Sequence, residues 1–325
     1  MKPAGLENLG NTCFMNSVLQ CLTYTPKLNE ILKTKLKKDD TCHSFLTQEW
    51  LELCQLLRNN QNMSVAPKRF LKVIQYVASK TENQNFVGYL QNDIYEFILF
   101  LFESFHNSTV QEKHNYTITS TTPIAEQCKV MIKTTYKSNY SEIINIFHGI
   151  QIYQMYDIHG KFITNTIEPF FTLNVSIPVK KEPTIYDCLQ LYTRKEQLNG
   201  ENMWYNEKTK EKQEVVRQVL FFSLPEILII VLKRFNNNLK KNATFVNIPV
   251  NELNMKDYMI ETNNSNLYEL FGVCNHSGSL MGGHYTSFIK REQEWYHMND
   301  NICTLIDNIE SKLSNKAYCL FYRKK

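Results

Sequence analysis

The chain has 325 residues, 43% hydrophobic and 12% aromatic, enough apolar material for one large core or two modest ones. Its net charge of +4 comes with scattered lysines and gives no case for a nucleic-acid or membrane-surface partner. Nine cysteines with no CxxC pair, an N-terminus (MKPAGLENLG) lacking a signal peptide's apolar core, no membrane-length apolar run and no lipidation box argue for reduced thiols in an unanchored protein with an intracellular address, cytoplasm or nucleus.

The first predicted element is a helix beginning at about Cys13. Asn11 or Thr12 serves as its N-cap, and Phe14, Val18, Leu19 and Leu22 recur at intervals of three and four. The first turn of a helix carries unpaired N–H groups and partial positive charge, so a thiol there is expected to ionise readily. The same donors suit an oxygen that turns negative when a thiolate attacks a carbonyl, and Asn8 adds a side-chain amide to the set. A cysteine at such a junction more often simply packs in the core, so position alone proves little.

Three helical stripes follow: Leu46, Trp50, Leu53 and Leu57; then Phe70, Val73, Ile74 and Val77; then Ile94, Phe97, Ile98, Leu101, Phe102 and Phe105. These read as core faces. Polar stretches near 107–122 and 199–214 read as loops or insert tips. From about Tyr140 apolar and polar residues alternate between Gly149, Gly160, Pro169 and Pro178, as in an antiparallel meander. One helix, opened by Thr184, interrupts it. The strands QVLFFSL, ILIIVLKRF, LYELFGVCN, HYTSFIK, EWYHM and AYCLFYR complete an α+β protein.

The stretch CNHSGSLMGGHYTSFIKREQEWYHMND, residues 274–300, supplies what a cysteine nucleophile requires. His284 follows two glycines at a strand entrance, and imidazole exchanges a proton near neutrality. Asn299 and Asp300 end the next strand, and either is placed to reach the second ring nitrogen. A lone histidine, or an Asn-Asp turn, is ordinarily structural. A cysteine at a helix start, an upstream amide, a glycine-flanked histidine and a carboxamide/carboxylate pair are hard to collect by accident.

Four stretches then resemble the ubiquitin-specific protease family: GLENLGNTCFMNSVLQCL its cysteine box, QNDIYEF its QQDxxEF segment, LPEILIIVLKRF the strand between, and GGHYTSFIKREQEWYHMND its histidine box. The match runs in order from Gly5 to Tyr322. It implies a papain-like fold with a helical thumb, an antiparallel β palm and inserted β fingers. The whole chain is then one catalytic domain, with its thumb to about 125, fingers about 126–215 and palm about 216–325. It implies Cys13 as nucleophile, His284 as general base, Asn8 as oxyanion donor, and Asn299 as the residue that orients the histidine, with Asp300 beside it. The implied substrate is ubiquitin, joined through its C-terminal glycine to a lysine amine. A side-chain-free diglycine end suits a slot walled by backbone near Cys13 and by Gly283 and Tyr285. Arginines in the tail call for acidic partners, Asp93 or Glu96, of which the resemblance implies Asp93. Asp93 reads equally well as the N-cap of the third helix.

The chain departs from the family where two CxxC pairs usually hold zinc. The corresponding stretches are MYDIHG and WYNEKTK, so no metal and no cofactor are expected. Asn92 replaces the second glutamine of QQDxxEF, and Tyr95 a commonly seen histidine. A monomer is expected, with ubiquitin and ubiquitinated proteins as partners. The rival readings are a catalytically silent ubiquitin-binding scaffold and a protease for another diglycine-ended modifier. A zinc hydrolase ranks below both, because no His/Cys/Asp cluster has ligand spacing.

Overall fold

The apolar periods of the first third do become helices. In the computed structural model, which describes residues 1–112, 116–235, 240–261, 266–279 and 282–325, strand β1 (Gly5–Leu6) leads to α1 (Cys13–Thr23), α2 (Pro26–Lys35), α3 (Cys42–Asn59), β2 (Ser64–Val65), α4 (Lys68–Lys80) and α5 (Ile94–Thr109). The three stripes are the buried faces of α3, α4 and α5. Helix α7 (Ile143–Phe147) corrects the sequence reading, which has the meander begin near 140, and α2 and α6 (Pro123–Thr135) are helices that reading did not name. The missed signal for α6 was Thr122–Pro123, an N-cap whose side chain accepts from Ala125 N, followed by proline in the first turn. Of the stretch 107–122 expected as a loop, 107–109 continue α5, and 113–115 lie outside the described residues.

Next come β3 (Gly149–Tyr156), β4 (Phe162–Phe170), β5 (Thr172–Ser176), α8 (Ile185–Thr193), β6 (Glu196–Leu198), β7 (Trp204–Asn206), β8 (Glu211–Gln213) and β9 (Val215–Ser223). Thr184 and Asp187 close a capping box at the start of α8. The stretch 199–214 is not plain loop: β7 and β8 form a short hairpin. The remaining strands are β10 (Ile227–Lys233), β11 (Leu253–Asn254), β12 (Leu267–Ser279), β13 (Gly282–Arg291), β14 (Glu294–Asn299), β15 (Ile302–Ile306) and β16 (Ala317–Lys324).

Among the described residues the main sheet runs β15-β14-β13-β12-β16-β10-β5, with β11 also on β12, and a second sheet runs β4-β3-β9-β6. The paired strands of the back half among the described residues are antiparallel apart from β5, which joins β10 in parallel. Strand β10 explains its unbroken apolar run. Ile227, Ile229 and Val231 face the core built by α1, α3, α4 and α5, while Leu228, Ile230 and Leu232 face a second core under α8. Arg234, at the end of this strand and fully buried, donates to the carbonyls of Ala317, Asn242 and Thr244 at 2.6, 3.0 and 2.9 Å.

Helix α1 is buried from Cys13 to Leu22 between the helices and β12–β13. Its polar side chains tie down the chain that precedes it: Asn16 Nδ2 donates to the carbonyls of Leu6 and Glu7, both 3.2 Å, and Gln20 Nε2 to that of Ala4, 2.9 Å. Gly5 lies so close to the backbone of Asn301 that a Cβ would sit 2.4 Å from its carbonyl oxygen, and Leu6 N donates to Asp300 O at 2.9 Å. The two ends of the sequence thus meet beside Cys13.

The stretches MYDIHG and WYNEKTK are hairpin turns held by their own side chains. Asp157 Oδ1 accepts from His159 N and Lys161 N at 2.9 and 2.8 Å, and Asn206 Oδ1 from Lys208 N at 3.0 Å. Among the described residues no three His, Cys, Asp or Glu side chains gather to hold a metal, and the donor set does not fit a four-ligand zinc site.

Burial also makes the fold sensitive to acid. It holds His148 and His276 down to about 4, with Lys241 adding to the effect at His276. Below about pH 6.5 the unfolded chain takes up protons at these rings and the native state does not, so stability is present above that pH and is lost as pH falls toward 4. Asp187, held near 2 by Lys180 and Thr184, gives up its contribution only below the ordinary carboxylate range. Urea midpoints are therefore expected to fall between pH 6.5 and 4. His148→Gln, which keeps an acceptor for the Tyr136 hydroxyl, is expected to flatten that fall.

Candidate active site

Thr12 is the N-cap of α1, but its hydroxyl does not cap the helix; it accepts from Leu9 N at 2.9 Å. Asn11, the other candidate, has φ +56°, a conformation asparagine tolerates, and its amide donates to Tyr89 O. Cys13 follows at the first helical position and is 2% exposed. Burial pushes its thiol up. The amides of Tyr285, Phe14 and Cys13 itself oppose this, and the Asp300 carboxylate adds to it. The expectation of a readily ionised thiol is therefore corrected for the free chain: the helix start is as read, but desolvation outweighs its donors.

His284 is exposed at the start of β13, and its Nε2–H donates to Asn299 Oδ1 at 2.7 Å. That bond fixes the tautomer and leaves Nδ1 as the basic nitrogen. Asp300 turns the other way. With φ +47° it accepts from Asn8 Nδ2 at 3.0 Å and from Asn16 Nδ2 at 2.8 Å. Asn8 Oδ1 in turn accepts from Thr12 N and Gly10 N at 3.0 and 3.2 Å. Asn299 and Asp300, adjacent in sequence, thus hold the histidine and the Asn8 amide respectively. Asn16 was missed because an asparagine inside a helical stripe gives no sequence signal of its own.

Tyr285 follows His284, its backbone amide opposes the upward push on the Cys13 thiol, and Cys13 and Tyr285 pack in one buried core, which brings the helix start and the strand entrance together. Among the described residues no hydrogen bond joins Cys13 to His284; such bonds commonly tighten only with substrate bound. The Tyr285 ring is buried against His276, centroids 4.6 Å apart. Gly283 lies so close to the His276 ring that a Cβ would be 2.3 Å from its Nε2. Gln91 exchanges two hydrogen bonds with the Gly283 backbone, Nε2 to O at 2.5 Å and N to Oε1 at 2.6 Å. Asp93 caps α5 by accepting from Tyr95 N at 2.7 Å and also accepts from the Tyr318 hydroxyl at 2.6 Å, whereas Glu96 is exposed with Asn85 donating to it.

The family model described as ubiquitin carboxyl-terminal hydrolase matches residues 4–322. The chain belongs to the ubiquitin carboxyl-terminal hydrolase family. Ubiquitin carboxyl-terminal hydrolase 2 of Homo sapiens is 32% identical over 338 residues, covering 98% of this chain and 54% of the human protein. The Gallus gallus protein of the same name is 33% identical over 335 residues, covering 98% of this chain and 92% of its own length. Ubiquitin carboxyl-terminal hydrolase 8 of Saccharomyces cerevisiae is 30% identical, with 98% and 70% covered. The chain thus spans about half the length of the human relative. Among solved structures, the SAGA DUB module Ubp8/Sgf11/Sus1/Sgf73 bound to monoubiquitin matches with a TM-score of 0.75 and 27% identity, over 100% of this chain and 71% of that one. A second SAGA module, bound to ubiquitin aldehyde, gives 0.72 at 27% identity, over 100% and 72%. The ubiquitin carboxyl-terminal hydrolase family's papain-like α+β fold, anticipated from the sequence, is the fold of this chain.

Proposed function

We propose that this chain is a deubiquitinating thiol hydrolase that cleaves the isopeptide bond after the C-terminal glycine of ubiquitin. The observation that carries this reading is the His284 Nε2–Asn299 Oδ1 bond, which leaves a basic Nδ1 at the strand entrance, beside the buried core that Cys13 and Tyr285 share. Family membership supports the substrate. Cys13 gives its proton to His284 and attacks the glycine carbonyl. The oxyanion is met by the Cys13 backbone N–H and by Asn8 Nδ2, whose second hydrogen is not taken by Asp300. His284 then protonates the departing lysine amine, and water, deprotonated by His284, releases ubiquitin from the thioester. In the free chain burial pushes the thiol up, against the backbone amides of Tyr285, Phe14 and Cys13.

Within this reading the thumb runs to about 125, the fingers about 126–215 and the palm about 216–325. The diglycine end lies along Gly283 and Tyr285. Of the acidic candidates for the tail arginines, Glu96 offers an exposed carboxylate, while Asp93 already accepts two hydrogen bonds. The partner is ubiquitin, and the chain acts as a monomer inside the cell. The test is to incubate the purified chain with ubiquitin carrying a C-terminal electrophile and, separately, with di-ubiquitin. The expected results are an adduct on the Cys13 peptide and free ubiquitin. Binding without either would leave a silent scaffold, and faster cleavage of another diglycine-ended modifier would reassign the substrate.

A further inference from the structure

Strand β14 pairs with β13 from Ser287 to Arg291, so among the described residues the start of β13 has no strand paired on that side. On the other side β12 places Gly278, Ser277 and His276 opposite Gly283, His284 and Tyr285. In an antiparallel strand alternate residues turn both backbone polar groups the same way. Gly283 and Tyr285 therefore present theirs to the open edge, with His284 between them. The helical half of the molecule covers that edge at two points. Gln91 takes both polar groups of Gly283, and Cys13 packs with Tyr285 in one buried core. A carboxamide offers the donor and acceptor of a peptide group, so the Gln91 side chain stands in for one rung of the absent strand. Gly283 has no retreat on its inner side, because the His276 ring lies against its Cα.

We propose that Gln91 is a positioning residue for the reaction described above: by clamping Gly283 it fixes the entrance of β13 and with it the placement of His284 against Cys13. This rests on the reading of those two residues as base and nucleophile. Displacing a base by about 1 Å costs on the order of a hundredfold in rate. Gln91→Ala is accordingly expected to lower kcat roughly ten- to a hundredfold with KM within about twofold, measured on ubiquitin bearing a fluorogenic C-terminal amide. Gln91→Glu keeps the length. Ionised, it meets Gly283 O with no hydrogen; protonated, it restores the donor. Its activity relative to wild type is therefore expected to rise as pH is lowered through the carboxyl titration, which mere loss of packing would not produce. Alkylation of Cys13 by iodoacetamide, followed on its own peptide, is expected to shift its pH midpoint in both variants.

A lower KM at unchanged kcat would make the clamp a barrier to the tail and overturn the proposal, as would a pH-independent Gln91→Glu ratio. If Gln91→Ala fails to fold, the Gln91→Glu titration decides by itself. A wild-type chain that cleaves no ubiquitin amide would instead overturn the functional reading, and the clamp would then be judged by alkylation alone: a shifted midpoint supports it, and superimposable profiles overturn it.

Discussion

Asn8→Ala is expected to lower kcat for ubiquitin-amide hydrolysis by roughly a hundred- to a thousandfold while leaving KM nearly unchanged, because an oxyanion donor acts on a charge that exists only in the transition state. The geometry allows the effect to be isolated. Asn8 Oδ1 holds the turn before α1 through Thr12 N and Gly10 N, so the same variant also loses a local side-chain cap, worth about 1 kcal/mol in stability. A urea midpoint reads that loss separately. Alkylation of Cys13 by iodoacetamide passes through no oxyanion and is expected to keep its rate in Asn8→Ala. Equal losses in alkylation and hydrolysis would mean that the variant had disturbed the sulfur, and an unchanged kcat would remove Asn8 from the mechanism.

What could be read from the sequence was whatever a local rule constrains. The stripes of α3, α4 and α5, the Thr184 opening of α8 and the strands around β10 each carry a period or a cap, and each is present. The helices that were missed have weak periods. Helix α2 has few apolar residues, Leu28, Ile31 and Leu32, among lysines, and takes its place by packing; α6 announced itself only through Thr122–Pro123. The parallel pairing of β5 with β10 was not legible, since strand direction is set by how the chain returns to the sheet. At the candidate site, residue types and spacing located Cys13, His284, Asn299, Asp300 and Asn8. They did not give the state of the thiol, because desolvation of Cys13 depends on a whole surrounding core. Nor did they divide the work between Asn299 and Asp300, or single out Gln91, whose partner lies 192 residues away.

That division of work is the second large expected effect. Among the described residues the Asn299 carboxamide oxygen accepts from the histidine, through His284 Nε2, and the Asp300 carboxylate accepts from the amides of Asn8 and Asn16. Removing Asn299 frees the ring to turn and to exchange tautomers, so it impairs every step that needs a base. Asn299→Ala is expected to lose about a hundredfold in kcat, within the range that positioned acid–base catalysis supplies, and to slow Cys13 alkylation near neutral pH as well. Asp300→Ala acts through Asn8, so its loss in kcat is bounded by the hundred- to thousandfold expected for Asn8→Ala. It also removes a negative charge that pushes the Cys13 thiol up, so alkylation is expected to be preserved or faster, with its midpoint moved to lower pH. Because Asn8 and Asp300 serve one donor, Asn8→Ala combined with Asp300→Ala should cost little more than the worse single variant, whereas Asn299→Ala combined with Asp300→Ala should approach the product of the two. If alkylation slowed in Asp300→Ala and held in Asn299→Ala, the two roles would have to be exchanged, against the 2.7 Å bond between Asn299 and the ring.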